Sequence, residues 1–85
     1  MNEKTELKQP LYVWRDSKAN RFSSPMVYTN EACAIRDFEM QVKQAGTVMG
    51  FAPGDYDLYF VGWYDVHSAI FDTCVPEFVV NGGNL

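Results

Sequence analysis

The order of apolar and polar positions first predicts a β-hairpin near the start of the chain. Residues 11–15 (LYVWR) are mostly β-branched or aromatic, and residues 21–24 (RFSS) follow a polar turn at 16–20. β-Branched and aromatic residues favour strands, and Pro25 ends the hydrogen-bonding capacity of the second run. The two runs therefore predict two short antiparallel strands joined by a loop.

A single helix is predicted after this hairpin, from Glu31 to about residue 45. Asn30 is an N-cap signal, and Gly46 is a suitable stop residue. Glu39 and Lys43 stand four residues apart in the order that favours an ion pair. Apolar residues recur at spacings of three and four, as an amphipathic helix requires, at Ala32, Ile35, Phe38 and Val42.

The second half of the chain predicts further strands. Residues 46–56 form a loop rich in Gly and Pro, and residues 57–67 form the longest strand candidate, with a possible bulge at Gly62. Because its apolar residues are nearly continuous, we expect a central strand, covered on both faces or buried in an oligomer interface. Residues 68–75 turn and return as a strand that Pro76 breaks, and residues 78–80 form a short edge strand.

These elements indicate an α+β fold with the order β-β-α-β-β. The simplest arrangement is a small antiparallel sheet of three to five strands with one amphipathic helix packed on a face. We expect a flexible N-terminal tail at residues 1–9, a single α+β domain at residues 10–80 and a flexible C-terminal end at residues 81–85.

Composition and charge narrow the classes of function. The chain has 85 residues, 47% of them hydrophobic, and a net charge of −4, which argues against strong bulk attraction to nucleic acid. However, all seven Lys and Arg residues lie in the first 43 residues, so we expect an anionic partner to dock on the N-terminal half. The apolar runs are too short for a membrane-spanning helix, and no secretory signal begins the chain. Cys33 and Cys74 are expected to be free thiols.

Enzymatic chemistry has little support in the residues. His67 is the single histidine, and no nucleophile or base stands at a useful spacing from it. Asp55 and Asp57 flank Tyr56 at the junction of a loop and a strand, where solvated turn residues explain them better than acid–base catalysis. We therefore expect no enzyme activity, no metal site and no cofactor.

One basic and aromatic segment stands out, in the first hairpin. Cations beside aromatic rings are typical of proteins that bind single-stranded nucleic acid, because cations follow the phosphates while rings stack on bases. If Tyr12 and Trp14 face the helix instead, they are core residues and the hairpin loses this stacking platform. The candidate nucleic-acid-binding residues are Arg15, Lys18, Arg21, Arg36, Trp14 and Phe22.

Several segments together resemble the small nonstructural protein of gokushovirus-type microviruses. These phages have single-stranded DNA genomes, and their nonstructural protein is labelled by inference as a DNA-binding protein. The resemblance spans about residues 11–67. It implies a role in the host cytoplasm during replication or packaging of the phage genome, and it carries no catalytic residues. The segments are residues 16–19 (DSKA), 22–25 (FSSP), 29–38 (TNEACAIRDF), 53–59 (PGDYDLY) and 61–65 (VGWYD).

Two functions from different classes follow. The first is weak binding of single-stranded DNA through the hairpin. The second is a protein-interaction module that binds a phage or host replication or assembly protein, with Tyr59, Trp63 and Tyr64 as interface residues, since aromatic residues are common at interface centres. Under either hypothesis we expect self-association into a homodimer or larger ring.

Overall fold

A computed structural model describes residues 7–85. Within these residues one antiparallel sheet packs against one main helix, which confirms the predicted α+β class. Short 3-10 turns lie at Pro53–Asp55 and Gly82–Asn84. The strands and helices are β1 (Lys8–Asp16), β2 (Arg21–Phe22), β3 (Met26–Val27), α1 (Glu31–Val42), α2 (Val48–Phe51), β4 (Tyr56–Asp65) and β5 (Phe71–Asn81).

The long strands β1 and β4 form the centre of the sheet. The strand order is β2-β1-β4-β5, and β3 also pairs with β1. All of these pairings are antiparallel. The prediction that β4 is central is therefore confirmed.

Helix α1 covers one face of the sheet and begins as predicted. The Asn30 side chain accepts a hydrogen bond from the backbone N–H of Cys33 at 2.9 Å, which satisfies one unpaired N–H of the first turn. The helix ends at Val42, earlier than residue 45. Its buried residues are Ala34, Phe38 and Val42, so Ala34 takes the place that the sequence pattern gave to Ala32.

Two tyrosines of the sheet layer hold α1 in place through carboxylates on the helix. The Tyr12 hydroxyl donates to Glu31 Oε1 at 2.9 Å, and the Tyr28 hydroxyl donates to Asp37 Oδ2 at 2.6 Å. Burial raises the pKa of Tyr12 and of Tyr28, and the adjacent carboxylates raise both pKa values further. The phenols therefore stay protonated and continue to donate.

The register of β1 and β4 assigns their residues to two faces, because directly opposed residues share a face. Tyr12 opposes Phe60, and Trp14 opposes Leu58. Since Leu58 and Tyr12 belong to the buried cluster with α1, these pairs lie on the helix-covered face. The pair of Val13 and Tyr59 and the pair of Arg15 and Asp57 lie on the other face, which we call the open face.

Gly62 forms the predicted bulge in β4. The register of β4 against β5 shifts between Phe60 and Gly62, and Gly62 has φ 138°. A Cβ at this position would lie 2.3 Å from the carbonyl oxygen of Asp72, so only glycine fits without movement of the backbone.

Strand β5 runs through Pro76, which the sequence pattern had placed as a strand breaker. Glu77 pairs with Phe60 and Thr73 pairs with Gly62, so residues 74–76 face the single residue Val61. Pro76 lies in this irregular stretch of an edge strand. Proline has no backbone N–H, and at this position the loss of one hydrogen-bond donor destabilises the sheet little. The prediction of two separate strands is therefore wrong.

Beyond Trp63, the β4–β5 hairpin extends past the helix. We call residues 63–77 the arm. Its apolar side chains are exposed, including Ile70 at 64% and Val75 at 82%. The Cα atoms span 48 Å along the longest axis and 22 Å and 18 Å across it, so the described chain is elongated.

The chain ends differ in part from the predicted tails. Lys8 and Gln9 belong to β1, and the remainder of the predicted tail lies outside the described residues except for Leu7. At the other end, Gly82 is buried in the 3-10 turn, and Leu85 packs against the core cluster. The C-terminal residues therefore contact the core, which a flexible end would not do.

Candidate nucleic-acid interface

The turn between β1 and β2 is built by one carboxylate. Asp16 accepts hydrogen bonds from the backbone N–H groups of Lys18 at 3.0 Å and Ala19 at 3.1 Å. Ser17 donates from both its N–H and its hydroxyl to the carbonyl oxygen of Asp55, each at 2.9 Å. These bonds fix the backbone of the turn, so Lys18 is presented at the surface from a defined position.

Arg15 projects from the open face beside this turn. Its Nη2 donates to the Asn20 side-chain oxygen at 2.8 Å, and Asn20 adopts φ 56°. The Arg15 guanidinium carbon also lies 5.9 Å from the centre of the Phe22 ring, within the range of a cation–π contact. A neutral amide and a ring therefore orient Arg15, and neither of them neutralises its charge.

The nearest acid in register leaves Arg15 without an ion pair. Asp57 opposes Arg15 across β1 and β4, but its carboxylate accepts a hydrogen bond from the Asn81 amide at 2.8 Å. Among residues 7–85 the one ion pair joins Glu39 and Lys43 at 2.6 Å, as the sequence predicted. We call Arg15, Lys18 and Arg21 the basic turn.

Three aromatic side chains form a row across the open face, next to the basic turn. The ring centres of Phe22 and Tyr59 are 5.5 Å apart, and those of Tyr59 and Phe78 are 5.9 Å apart. Both contacts are edge-to-face. Phe22 is 48% exposed and Phe78 is 58% exposed. We call these three residues the aromatic row.

Trp14 lies on the helix-covered face instead. Its ring packs 6.0 Å from that of Phe38, and its Nε1 is buried with no hydrogen-bond partner among the described residues. Trp14 reaches the surface in a shallow pocket of about 350 Å³, where it lies with Arg21 and Phe22. The structure thus separates Trp14 from Arg15. Tyr12 and Trp14 both face the helix, so the first hairpin cannot use them as stacking residues.

Arg36 is also separated from the basic turn. It lies two residues from both Ala34 and Phe38, which face the sheet, and it is exposed on the outer side of α1. Its Nη2 lies 3.8 Å from Cys33 Sγ. The whole sheet therefore stands between Arg36 and Arg15.

The three predicted interface aromatics are divided between the two faces. Tyr59 is the middle residue of the aromatic row, and Tyr64 contacts Phe71 on the open face at 5.0 Å between ring centres. Trp63 contacts Phe60 on the helix-covered face at 5.6 Å. These residues therefore do not form one continuous surface.

A groove that sequence reasoning missed lies at the other end of β1, between the first residue of α1 and the base of the arm. Its volume is about 770 Å³. It combines aromatic rings with carboxylates. Its walls come from four separate segments of the chain, so no single sequence motif indicates it. Its main lining residues are Lys8, Tyr12, Glu31, Phe60, Trp63 and Glu77.

Phe78 was likewise missed as a neighbour of the basic turn. The sequence places it 56 residues after Phe22, and only the pairing of Tyr59 with Phe78 across β4 and β5 puts both rings against Tyr59. Alternation in residues 78–80 indicates a strand but gives no register, so no local signal could have found this contact.

The other chemistry-bearing residues are dispersed. His67 is exposed in the turn of the arm. Its backbone N–H donates to Asp65 Oδ1 at 2.9 Å, and this hydrogen bond lowers the pKa of the Asp65 carboxyl. Cys33 and Cys74 are both free, in agreement with the prediction. Residues 7–85 contain no group of three or more potential metal ligands. Within the same range, no helix has the length and apolar character needed to cross a membrane.

Comparison with known proteins gives one family. No curated protein and no solved structure matches the chain at a significant level. The family model described as phage ORF5 protein matches residues 9–85, which include every described strand and helix except Lys8, the first residue of β1. The chain therefore belongs to the phage ORF5 protein family.

Proposed function

We propose that this phage protein binds single-stranded DNA through the basic turn and the aromatic row. The observation that carries the proposal is the position of Arg15, which Asn20 and Phe22 hold outside any ion pair among residues 7–85, at one end of a row of rings whose outer members are exposed. Membership of a phage family and the resemblance to microvirus proteins support a role in replication or packaging of a single-stranded genome in the host cytoplasm.

The electrostatic part of the proposal rests on three cations at one end of the sheet. Arg15 opposes Phe22 on the open face, Arg21 opposes Asp16 on the other face, and Lys18 lies in the turn that joins the two strands. Each cation that contacts a phosphate displaces counterions, so binding must weaken as salt concentration rises. Because the net charge is −4, we expect modest affinity and a slope that corresponds to about three contacts.

The stacking part rests on the exposure of the row. An unpaired base has two free faces, whereas the bases of a duplex are already stacked. On the open face Phe22 is 48% exposed and Phe78 is 58% exposed, so bases can reach both rings. We therefore expect a strong preference for single-stranded DNA over a duplex of the same length.

The first test compares two charge variants by fluorescence anisotropy of a labelled single-stranded oligonucleotide. Lys18→Ala/Arg21→Ala removes two cations of the basic turn, and Arg36→Ala/Lys43→Ala removes the same charge from α1. We expect the first variant to lower the salt slope by about 1.4, since each lost single-strand phosphate contact accounts for about 0.7. The second variant should bind as the parent does, and equal losses in the two variants would contradict a localised site.

The second test concerns the rings. Phe22→Ala/Phe78→Ala should weaken binding by roughly tenfold or more, because stacking on one aromatic residue contributes about 1–3 kcal/mol per base. Phe51→Ala is the matched control, since Phe51 lies on α2, is 89% exposed and is outside the row. Unchanged affinity in the double variant would remove the stacking part of the proposal.

A protein-interaction module remains the second candidate, because the arm exposes apolar side chains that a solitary chain has no reason to expose. This function requires a partner protein and no direct DNA contact. Absence of anisotropy change at low salt, with a folded protein, would favour it over DNA binding.

A further inference from the structure

The groove at the base of the arm has the chemistry of a site for a cationic side chain. Trp63 and Phe60 form an aromatic wall, and the carboxylates of Glu31 and Glu77 stand at its rim. A guanidinium or ammonium group is attracted both by the faces of aromatic rings and by carboxylates. The groove is open to solvent, since Trp63 is 44% exposed.

The charge around the groove is negative. Asp72 opposes Trp63 in the pairing of β4 and β5 and lies beside the groove on the same face as Glu77. The cation in the groove wall, Lys8, opposes Asp65 across β1 and β4 and helps to lower the pKa of that carboxyl, although the two groups are not within ion-pair distance. Residues 44–85 contain no Lys or Arg, and a contact between two arms would therefore bring acids together.

The same chain carries a matching surface at its opposite end. The basic turn lies where β1 joins β2, its backbone is fixed by Asp16 and Asp55, and Lys18 and Arg21 are exposed on it. Neither makes an ion pair within residues 7–85. Among the described residues, one end of the molecule thus offers cations outside any ion pair, and the other offers a groove lined by the carboxylates of Glu31 and Glu77.

A chain cannot place its own basic turn in its own groove. Pro10 lines the groove and Asp16 begins the turn, and both lie on the straight strand β1. At about 3.3 Å per residue they are about 20 Å apart. Any contact between the two surfaces must therefore join separate copies.

We infer that the protein self-associates head to tail, with the basic turn of one copy seated in the groove at the arm base of the next. The two surfaces are different, so the contact is heterologous, and it forms open chains or rings rather than a two-fold dimer. Because Lys18 and Arg21 also belong to the proposed DNA site, single-stranded DNA competes with the groove for the turn. This last consequence rests on the proposed function, whereas the association itself does not.

Charge reversal tests the contact without DNA. The turn variant is Lys18→Glu/Arg21→Glu, and the groove variant is Asp72→Lys/Glu77→Lys. Glu31 is left unchanged because it accepts the hydrogen bond from Tyr12. Circular dichroism and thermal unfolding establish that each variant is folded, and Arg36→Glu/Lys43→Glu controls for charge reversal elsewhere.

Sedimentation velocity at low salt provides the readout. We expect the parent and the control to show an average mass that rises with concentration, and at least a tenfold weaker association for the turn variant or the groove variant alone. An equimolar mixture of the two variants should restore association, because each then meets a surface of opposite charge. Raising ionic strength to 1 M, where the Debye length is about 3 Å, should dissociate the parent.

Three results would overturn the inference. The first is a parent that stays monomeric at low salt. The second is association that persists in both variants, which would instead indicate an apolar contact such as packing of the exposed arms. The third is a mixture that fails to associate, since the two surfaces would then not be partners. Loss of DNA binding by the turn variant alone tests the proposed function and leaves these outcomes unaffected.

Discussion

The two ends of the sheet contain similar residue types in very different surroundings. At the covered end, Phe38 and Leu58 are fully buried between α1 and the sheet. In the arm, Phe71 and Val75 of β5 are more than half exposed, although they belong to the same sheet. Apolar character along a strand therefore predicts pairing within the sheet, whereas burial depends on whether a second layer reaches that part of the strand.

The charges follow the same division along the molecule. The basic turn lies beyond Asp16 at the covered end, and the acids Asp72 and Glu77 lie on the arm. Neither set is neutralised within the described residues, where one ion pair is found on α1. Each end is therefore suited to contacts outside the chain, but with partners of opposite charge.

The largest predicted effect is a difference in how much the free energy of unfolding falls when a phenylalanine is removed from each end. Phe38→Ala should lower the free energy of unfolding by about 3–5 kcal/mol, because it opens a cavity at a fully buried site. Phe71→Ala should cost only about 1 kcal/mol, since Phe71 is 54% exposed and loses mainly its contact with Tyr64. Chemical denaturation measures both, and equal losses would mean that the arm is covered in solution.

A smaller effect is expected at the junction of the two regions. Gly62→Ala should cost about 1–3 kcal/mol, because the residue has φ 138° and its new Cβ would meet the backbone of Asp72. Gly54→Ala is the control, since a Cβ there has no atom within 4 Å. Hydrogen exchange should locate the loss in the arm amides, and loss spread evenly over β1 would contradict this account of the bulge.

A still smaller effect depends on pH and belongs to the covered end. Tyr12 and Tyr28 have raised pKa values in the folded protein, chiefly because they are buried. Below about pH 10 the folded and unfolded states both keep these protons, so the contribution to stability is complete. As pH rises further, the unfolded chain releases protons that the folded chain retains, and stability falls.

Urea denaturation at several alkaline pH values measures this loss. Tyr12→Phe/Tyr28→Phe removes both titrating groups, so its stability should depend less on pH above about 10. Tyr56 also has a raised pKa and retains part of the dependence in this variant. The same slope in the parent and the variant would show that these two phenols do not govern the loss.

Local signals in the sequence predicted local structure well. The Asn30 cap, the ion pair of Glu39 with Lys43 and the bulge at Gly62 all depend on residues that are close in sequence. In α1 two details differed, since Val42 is its last residue and Ala34 is buried in place of Ala32. Each of these features follows from backbone geometry or spacing within one element.

The candidate site was less predictable because it depends on register and on the choice of face. Alternation places Trp14 and Arg15 on opposite faces, but it does not say which face the helix covers. The structure places α1 over Trp14, and it recruits Phe78 to Phe22 through β4. The continuity of β5 across Pro76 also depends on a bulge against Val61, which no short motif signals.

The most direct test of DNA binding at the basic turn is an NMR titration of the labelled protein with a short single-stranded oligonucleotide. We predict amide shifts that saturate, diminish at high salt and centre on Arg15, Lys18, Arg21 and Phe22, with further shifts at Tyr59 and Phe78. Arm residues 66–75 should shift little by comparison. Absence of shifts at low salt, or shifts confined to the arm, would contradict the account.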